Sequence, residues 1–274
     1  AGKSVLYGAI LHAFGRWDAR ALARHKKELG TEETEVRRCC GVETKKARLM
    51  LLDVPGNPRC VPEAGRALAE ADSVVLVVSA KGNEFDKAFD ERFGPLREHA
   101  LLAKGLGARS VVVAVNKMDE VQWSEARFSE ISAALGGFLH SVGFGQDDVT
   151  FVPVDGLSGE LAASKAPWHT KGRLLDCLTT VQLPGPSIPS LPVRVLLLEA
   201  VKEKTGVLSV EGRVECGTLS PGQECMLAPL DATCTVQAVR ASGRNVTSAG
   251  LGEAVQLLLQ GVGDAADVPR GSVL

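Results

Sequence analysis

The apolar positions divide the chain into two regions of different character. Residues 5–29 carry a helical period, with Leu6, Ala9, Ile10, Ala13 and Phe14 on one side and no proline, which predicts one helix. A polar segment, 30–38, leads to two strands expected at 39–44 and 48–52, joined at Lys45-Lys46. Residues 64–71 read as a helix, 73–79 as a buried strand, 96–106 as a helix and 110–115 as a second buried strand. Near-continuous valine runs separated by helices predict a mostly parallel sheet with helices on both faces. Another helix spans 128–142, where Ile131, Leu135, Phe138, Leu139 and Val142 keep helical spacing; a strand at 149–154 and a short helix at 174–180 follow. The first region is therefore α/β.

Residues 183–192 read Leu-Pro-Gly-Pro-Ser-Ile-Pro-Ser-Leu-Pro, a linker by composition. Beyond it, 193–200, 206–214, 224–228, 233–239 and 253–259 are short β-type runs broken by turns such as Ser220-Pro221-Gly222. This predicts an all-β second domain, a small barrel. The expected division is 1–183, a Pro-rich linker at 184–192, and 193–274.

With 45% hydrophobic and 23% charged residues, the 274-residue chain can bury a core, which excludes disorder as its main state. Lys plus Arg is 31 against 33 for Asp plus Glu, so the chain is no general polycation and RNA contacts must come from a local patch. One such feature is the stripe Arg16, Arg20, Arg24 and Lys27, either a solvated face or a phosphate-facing edge. Apolar stretches such as 74–78 and 111–115 fall far short of the roughly 20 residues that span a bilayer. The seven cysteines include adjacent Cys39 and Cys40 but no CxxC, which supports neither a disulfide framework nor a zinc site and makes a reducing cytosol the expected compartment. The opening Ala1-Gly2-Lys3-Ser4 has no initiating methionine and no signal peptide, and reads as an internal cut.

Three motifs carry chemistry. Gly2-Lys3-Ser4, followed at once by a helix, matches the end of the phosphate-binding box GxxxxGKS/T: glycine admits the phosphates, lysine reaches their oxygens and the Ser4 hydroxyl can ligate Mg²⁺. The first glycine of the box and the strand that feeds it are missing from the chain. Asp53-Val54-Pro55-Gly56 ends a strand, where an aspartate can hold a metal through water and Gly56 can donate its amide to a γ-phosphate. Asn116-Lys117-Met118-Asp119 follows the buried strand at 110–115 and is the most specific of the three. Its aspartate can accept the ring N–H and exocyclic amine of guanine, its lysine stem can cover the base, and its asparagine can tie loops together. In that order the motifs predict a nucleotide-binding α/β domain. A backbone amide for guanine O6 is expected in the loop Asp155-Gly156-Leu157-Ser158-Gly159-Glu160.

These residues resemble the translational GTPases of the elongation factor 1-alpha class, and within it the Hbs-like ribosome-rescue branch that partners Pelota. The likeness rests on 42–46, on 97–102, on Asn116 through Ile131, on 156–160 and, in the second domain, on 206–222. It implies a P-loop GTPase domain followed by a translation-factor barrel in a cytoplasmic protein. That protein would bind GTP or GDP with Mg²⁺ and act on the ribosome with a release-factor-like partner, with no role for membrane or DNA. Residue by residue, Gly2, Lys3 and Ser4 hold phosphates and metal, Asp53 and Gly56 sense the γ-phosphate, Asn116, Lys117 and Asp119 read guanine, and Asp155, Gly156 and Leu157 complete the base site. Thr34 falls where the switch threonine, a further metal ligand, would lie.

Three departures stand out. The histidine that the family places after DxPG is Asn57 here, which cannot titrate as a base or become a cation. The serine expected before Gly156 is Asp155, a carboxylate beside the presumed guanine pocket. The stretch between the first helix and Thr34 is also much shorter than in the family, and with Asn57 it predicts impaired hydrolysis with guanine binding retained. An elongation or release-factor GTPase, and a non-catalytic module that holds a ribosomal partner, are the alternatives. His99 is expected to be structural, Cys216, Cys225 and Cys234 to be buried thiols, and Trp17, Trp123 and Trp168 to stand isolated.

Overall fold

The computed structural model describes residues 2–29, 38–44, 48–54, 61–90, 92, 94–159, 161, 165–180, 191–202, 207–241, 243–263 and 268–274. They form two units, Ala1–Gln182 and Leu183–Leu274. Most of the linker, including 184–190, lies outside the described residues.

The first unit opens with α1 (Lys3–Ala13) and α2 (Ala19–Leu29), which correct the single helix expected over 5–29. The chain turns at Gly15, whose φ of 71° suits a residue without Cβ. Asp18 then starts the second helix, its carboxylate accepting the amide of Ala21 at 2.7 Å. Apolar spacing runs through the break, so periodicity alone hides it. The two helices pack closely because residue 8 is glycine: a Cβ there would lie 2.7 Å from the His25 ring.

An antiparallel hairpin follows, β1 (Arg38–Glu43) and β2 (Arg48–Asp53). Then come α3 (Val61–Glu70), β3 (Ser73–Ser79), α4 (Gly82–Phe89), α5 (Pro95–Gly105), β4 (Ser110–Asn116), α6 (Glu125–Val142), β5 (Val149–Pro153) and α7 (Leu174–Thr179). Strands β3, β4 and β5 are parallel and adjacent in that order, with β4 central. Val111, Val113 and Val115 of β4 point to one layer, where Phe85 of α4, Leu96 and Ala100 of α5, and Ile131, Leu135 and Leu139 of α6 close over them. Val112 and Ala114 point to the other, against Leu6, Ala9 and Ile10 of α1 and Leu174 and Leu178 of α7. Burial on both faces is why this strand reads as an unbroken apolar run. Among the described residues the β1–β2 hairpin forms a separate two-stranded sheet.

The second unit is all β: β6 (Arg194–Lys202), β7 (Leu208–Cys216), β8 (Glu224–Leu227), β9 (Ala232–Ala241), β10 (Arg244–Val246) and β11 (Ala254–Gln260). The antiparallel sheet has the order β10-β9-β11-β7-β6, with β8 on β9. Val195 and Leu274 exchange two backbone hydrogen bonds of 2.9 Å, and Ala228 and Val273 exchange two of 2.9 and 3.0 Å. The last residues thus bridge the free edge of β6 to the end of β8, over a core that includes Val195, Leu197, Val210, Leu227, Val236 and Leu257. Cys225 and Cys234 are buried as expected, but Cys216 is only half-buried. Two tryptophans are not isolated: Trp17 packs edge-on to Tyr7 and His25, and Trp168 lies 5.0 Å from Phe128. His99 is structural, its ring Nδ1 lying 2.6 Å from the Pro95 carbonyl oxygen. Among the described residues no helix is long and apolar enough to cross a membrane.

Candidate functional site

The carboxyl ends of β2, β4 and β5 meet the amino end of α1. Gly2 caps α1 in the left-handed region, at φ 85° and ψ 34°. A Cβ on it would sit 2.8 Å from Nδ2 of Asn116, so both its conformation and its neighbour require glycine. Lys3, the next residue, is held largely out of solvent. Burial pushes its ammonium pKa down, while the carboxylate of Asp53 at the end of β2 acts in the opposite sense. Asp53 is itself buried. The Ser4 carbonyl lies 2.8 Å from Nε2 of His25, a buried residue of α2.

Asn116, the last residue of β4, is buried and organises the opposite side. Its Oδ1 accepts the amide of Gly156 at 2.9 Å, and its main-chain oxygen accepts the amide of Ala80 at 2.8 Å. Lys117 then adopts φ 64°, turning the chain into a short 3₁₀ turn, Met118–Val121, anchored by the fully buried Met118. Asp119, on that turn, is exposed. The Lys117 ammonium donates to both carboxylate oxygens of Glu84 in α4, at 2.9 and 2.8 Å. This ammonium, and then the Ser79 hydroxyl, hold the Glu84 carboxyl below its usual range.

The loop after β5 runs through Asp155 and Gly156, both buried, to Leu157, which is 65% exposed. The Asp155 carboxylate bends back onto its own loop, its Oδ1 accepting the amides of Leu157 at 2.9 Å and Ser158 at 3.3 Å. The departure from serine therefore gives this loop an internal brace. Gly156 lies against α1, where a Cβ would come within 3.2 Å of the Leu6 Cα. Lys26 of α2 donates to the Leu157 carbonyl at 2.6 Å.

Gly2, Asn116 and Gly156 are thus joined, Lys3 is paired electrostatically with Asp53, and Lys117, Asp119, Asp155 and Leu157 extend the site from the same strand ends. Thr34, Gly56 and Asn57 lie outside the described residues. Sequence reasoning missed His25, Lys26 and Glu84, whose partners are 21, 131 and 33 residues away. The only advance signal was the basic character of 24–27.

The geometry suits a ligand with an amidine-like edge at one end and phosphates at the other. Asp119 offers an acceptor to the first; the helix end at Gly2, with Lys3 behind it, offers a positive field to the second. Among the described residues no group of three His, Cys, Asp or Glu side chains could hold a metal alone. A divalent ion at Ser4 and Asp53 would need phosphate oxygens to complete its shell.

Residues 1–205 match the family described as Elongation factor Tu GTP binding domain. Protein HBS1 of Drosophila melanogaster is 35% identical over 246 residues, covering 80% of this chain and 36% of that protein. The eukaryotic peptide chain release factor GTP-binding subunit of Debaryomyces hansenii is 32% identical over 308 residues, covering all of this chain and 42% of that protein. The chain therefore spans only about two-fifths of the length of these curated relatives. Among solved structures, Sup35 complexed with GDP is 31% identical with a TM-score of 0.54, over 99% of this chain and 63% of that one.

Proposed function

Because the chain belongs to the Elongation factor Tu GTP binding domain family, we propose that it binds GTP and GDP with Mg²⁺ at the site built around Asn116. On this reading it acts on the ribosome, in rescue and mRNA surveillance, with a Pelota-like release-factor homologue. The observation that carries the binding assignment is the contact between Gly2 and Asn116, with the Gly156 amide on the Asn116 side chain: motifs far apart in sequence meet at one point. Lys3 and Ser4 would hold the phosphates and the ion, Asp53 and Gly56 would respond to the γ-phosphate, and Thr34 would be a further ligand of the ion. Asn116, Lys117, Asp119 and the 155–157 loop hold the base. Bound Mg²⁺ would supply charge neutralisation at the phosphates.

Hydrolysis is slow or absent, because Asn57 replaces the side chain that would orient and polarise the attacking water. The rescue assignment draws on the likeness to Drosophila HBS1. The likeness to the release-factor GTP-binding subunit supports the neighbouring reading, a termination factor. Single-turnover hydrolysis on ribosomes, comparing the protein with its Asn57→His variant, tests the catalytic part. We expect a gain in the variant, and a wild-type rate equal to it overturns the impairment. Co-sedimentation with stalled ribosomes and a Pelota homologue, against terminating ribosomes, tests the partner.

A further inference from the structure

The elbow between α1 and α2 concentrates positive charge, of which only Lys26 reaches the nucleotide site among the described residues. Between Arg16 and Lys27 lie five Lys or Arg residues and one acidic residue, Asp18, in a chain whose formal charge is −2. Asp18, whose Oδ1 caps α2, makes no ion pair with them among the described residues. Lys26 turns inward to the Leu157 carbonyl. Arg16, Arg20, Arg24 and Lys27 remain exposed, with no ion pair among the described residues. Elsewhere Lys81, Lys117, Arg127, Arg173 and Arg270 each face a carboxylate.

The three arginines do not lie on one helix, since Arg16 belongs to the turn. They nevertheless line the same open cavity of about 630 Å³ with Trp17, Asp18 and Ala21. The turn is braced: the Arg16 amide donates to the Leu11 carbonyl at 2.9 Å, and Nδ1 of His12 lies 2.8 Å from the Trp17 carbonyl. Along α2, Arg20, Arg24 and Lys27 succeed one another about once per turn, roughly 5.4 Å. A row of guanidinium groups and an ammonium at that interval suits a run of phosphates. Base readout is not provided for, because the Trp17 ring is already packed edge-on against Tyr7 and His25.

We propose that this elbow is a binding surface for the phosphate backbone of structured RNA, engaged without sequence preference through Arg16, Arg20, Arg24 and Lys27. It is separate from the nucleotide site and does not depend on the reading given for that site. An acidic protein segment, which could also meet these cations, is the competing occupant; the regular row of charges along α2, continued by Arg16 in the same cavity, favours RNA.

The test is fluorescence anisotropy of the full chain with a labelled RNA hairpin across a salt series, alongside the triple variant Arg20→Gln, Arg24→Gln, Lys27→Gln. Each phosphate contact contributes roughly 0.7–0.9 to the slope of log affinity against log salt, so the variant should lose about two to three units of slope. Four contacts correspond to a weakening on the order of 100-fold between about 50 and about 200 mM salt. Fluorescent-GTP affinity should be the same in both proteins, so a failure of nucleotide binding would be seen separately. An unchanged slope in the variant overturns the proposal. So does polyglutamate of equal charge binding as tightly as the hairpin with the same loss in the variant, which would assign the surface to an acidic peptide.

Discussion

The side chain of Asn116 and the amide of Gly156, 40 residues apart, meet at 2.9 Å in the interior of the first unit. The same side chain leaves no room for a Cβ on Gly2, so one residue ties β4, the loop after β5 and the start of α1. Removing it leaves the Gly156 donor without that acceptor. Asn116→Ala should destabilise the protein by about 1–3 kcal/mol. A denaturation midpoint shifted at unchanged slope checks this; a midpoint equal to wild type would show the bond to be dispensable.

Gly2 and Gly15 separate backbone strain from close approach. Both have positive φ, 85° and 71°, but only Gly2 has a neighbour within 4 Å of an added Cβ. Gly15→Ala should cost about 1–2 kcal/mol, the left-handed penalty alone, and leave nucleotide affinity unchanged. Gly2→Ala meets Asn116 as well and should weaken nucleotide binding measurably. Equal affinities for the two variants would contradict the placement of Gly2 in the site.

Lys117 and Glu84 form a half-exposed pair, with side chains 29% and 36% exposed. Glu84→Gln should therefore cost no more than about 1 kcal/mol. Because the folded-state carboxyl is held below its usual range, its contribution is present above that range and fades as pH falls through the lowered value. Acid titrations of wild type and Glu84→Gln should converge at the acid end. Curves that stay parallel throughout would show that the pair does not titrate as described.

Cys225 and Cys234 face each other across β8 and β9. Burial raises both thiols, and Cys234, with a smaller contribution from Cys225, reaches about 11 from an ordinary value near 9. A raised folded-state value means stability that is intact below the unfolded pKa and lost as pH rises through the folded one. The second unit should therefore weaken between about pH 9 and about pH 11, and Cys234→Ser should flatten that decline. Iodoacetamide should label the exposed Cys39 well before Cys234; equal rates would place Cys234 at the surface.

The parallel sheet was legible because Val111 to Val115 is buried on both faces, which leaves an unbroken apolar run in the sequence. Helix α4 was not, because GNEFDKAF buries Phe85 alone and one position sets no period. Strand β10 is three residues long with two of them exposed, too short for alternation to register. The break between α1 and α2 was hidden because Phe14 continues the apolar spacing up to the turn. In the site, Asn116 and Asp119 were legible from a buried strand running into a polar loop. The Lys117–Glu84, His25–Ser4 and Lys26–Leu157 contacts are made by residues distant in sequence, and only the packing of α2 and α4 brings them together.

The central claim is that the Asn116 site selects a guanine nucleotide, and titration of the full chain with fluorescent GTP, with and without Mg²⁺ and against ATP, tests it most directly. The account predicts saturable, Mg²⁺-dependent binding of GTP that ATP does not displace. It also predicts a loss of at least about tenfold in Asp119→Ala, since a hydrogen bond to a charged group contributes about 1.5–3 kcal/mol. Absence of GTP binding, or equal displacement by ATP, would contradict it.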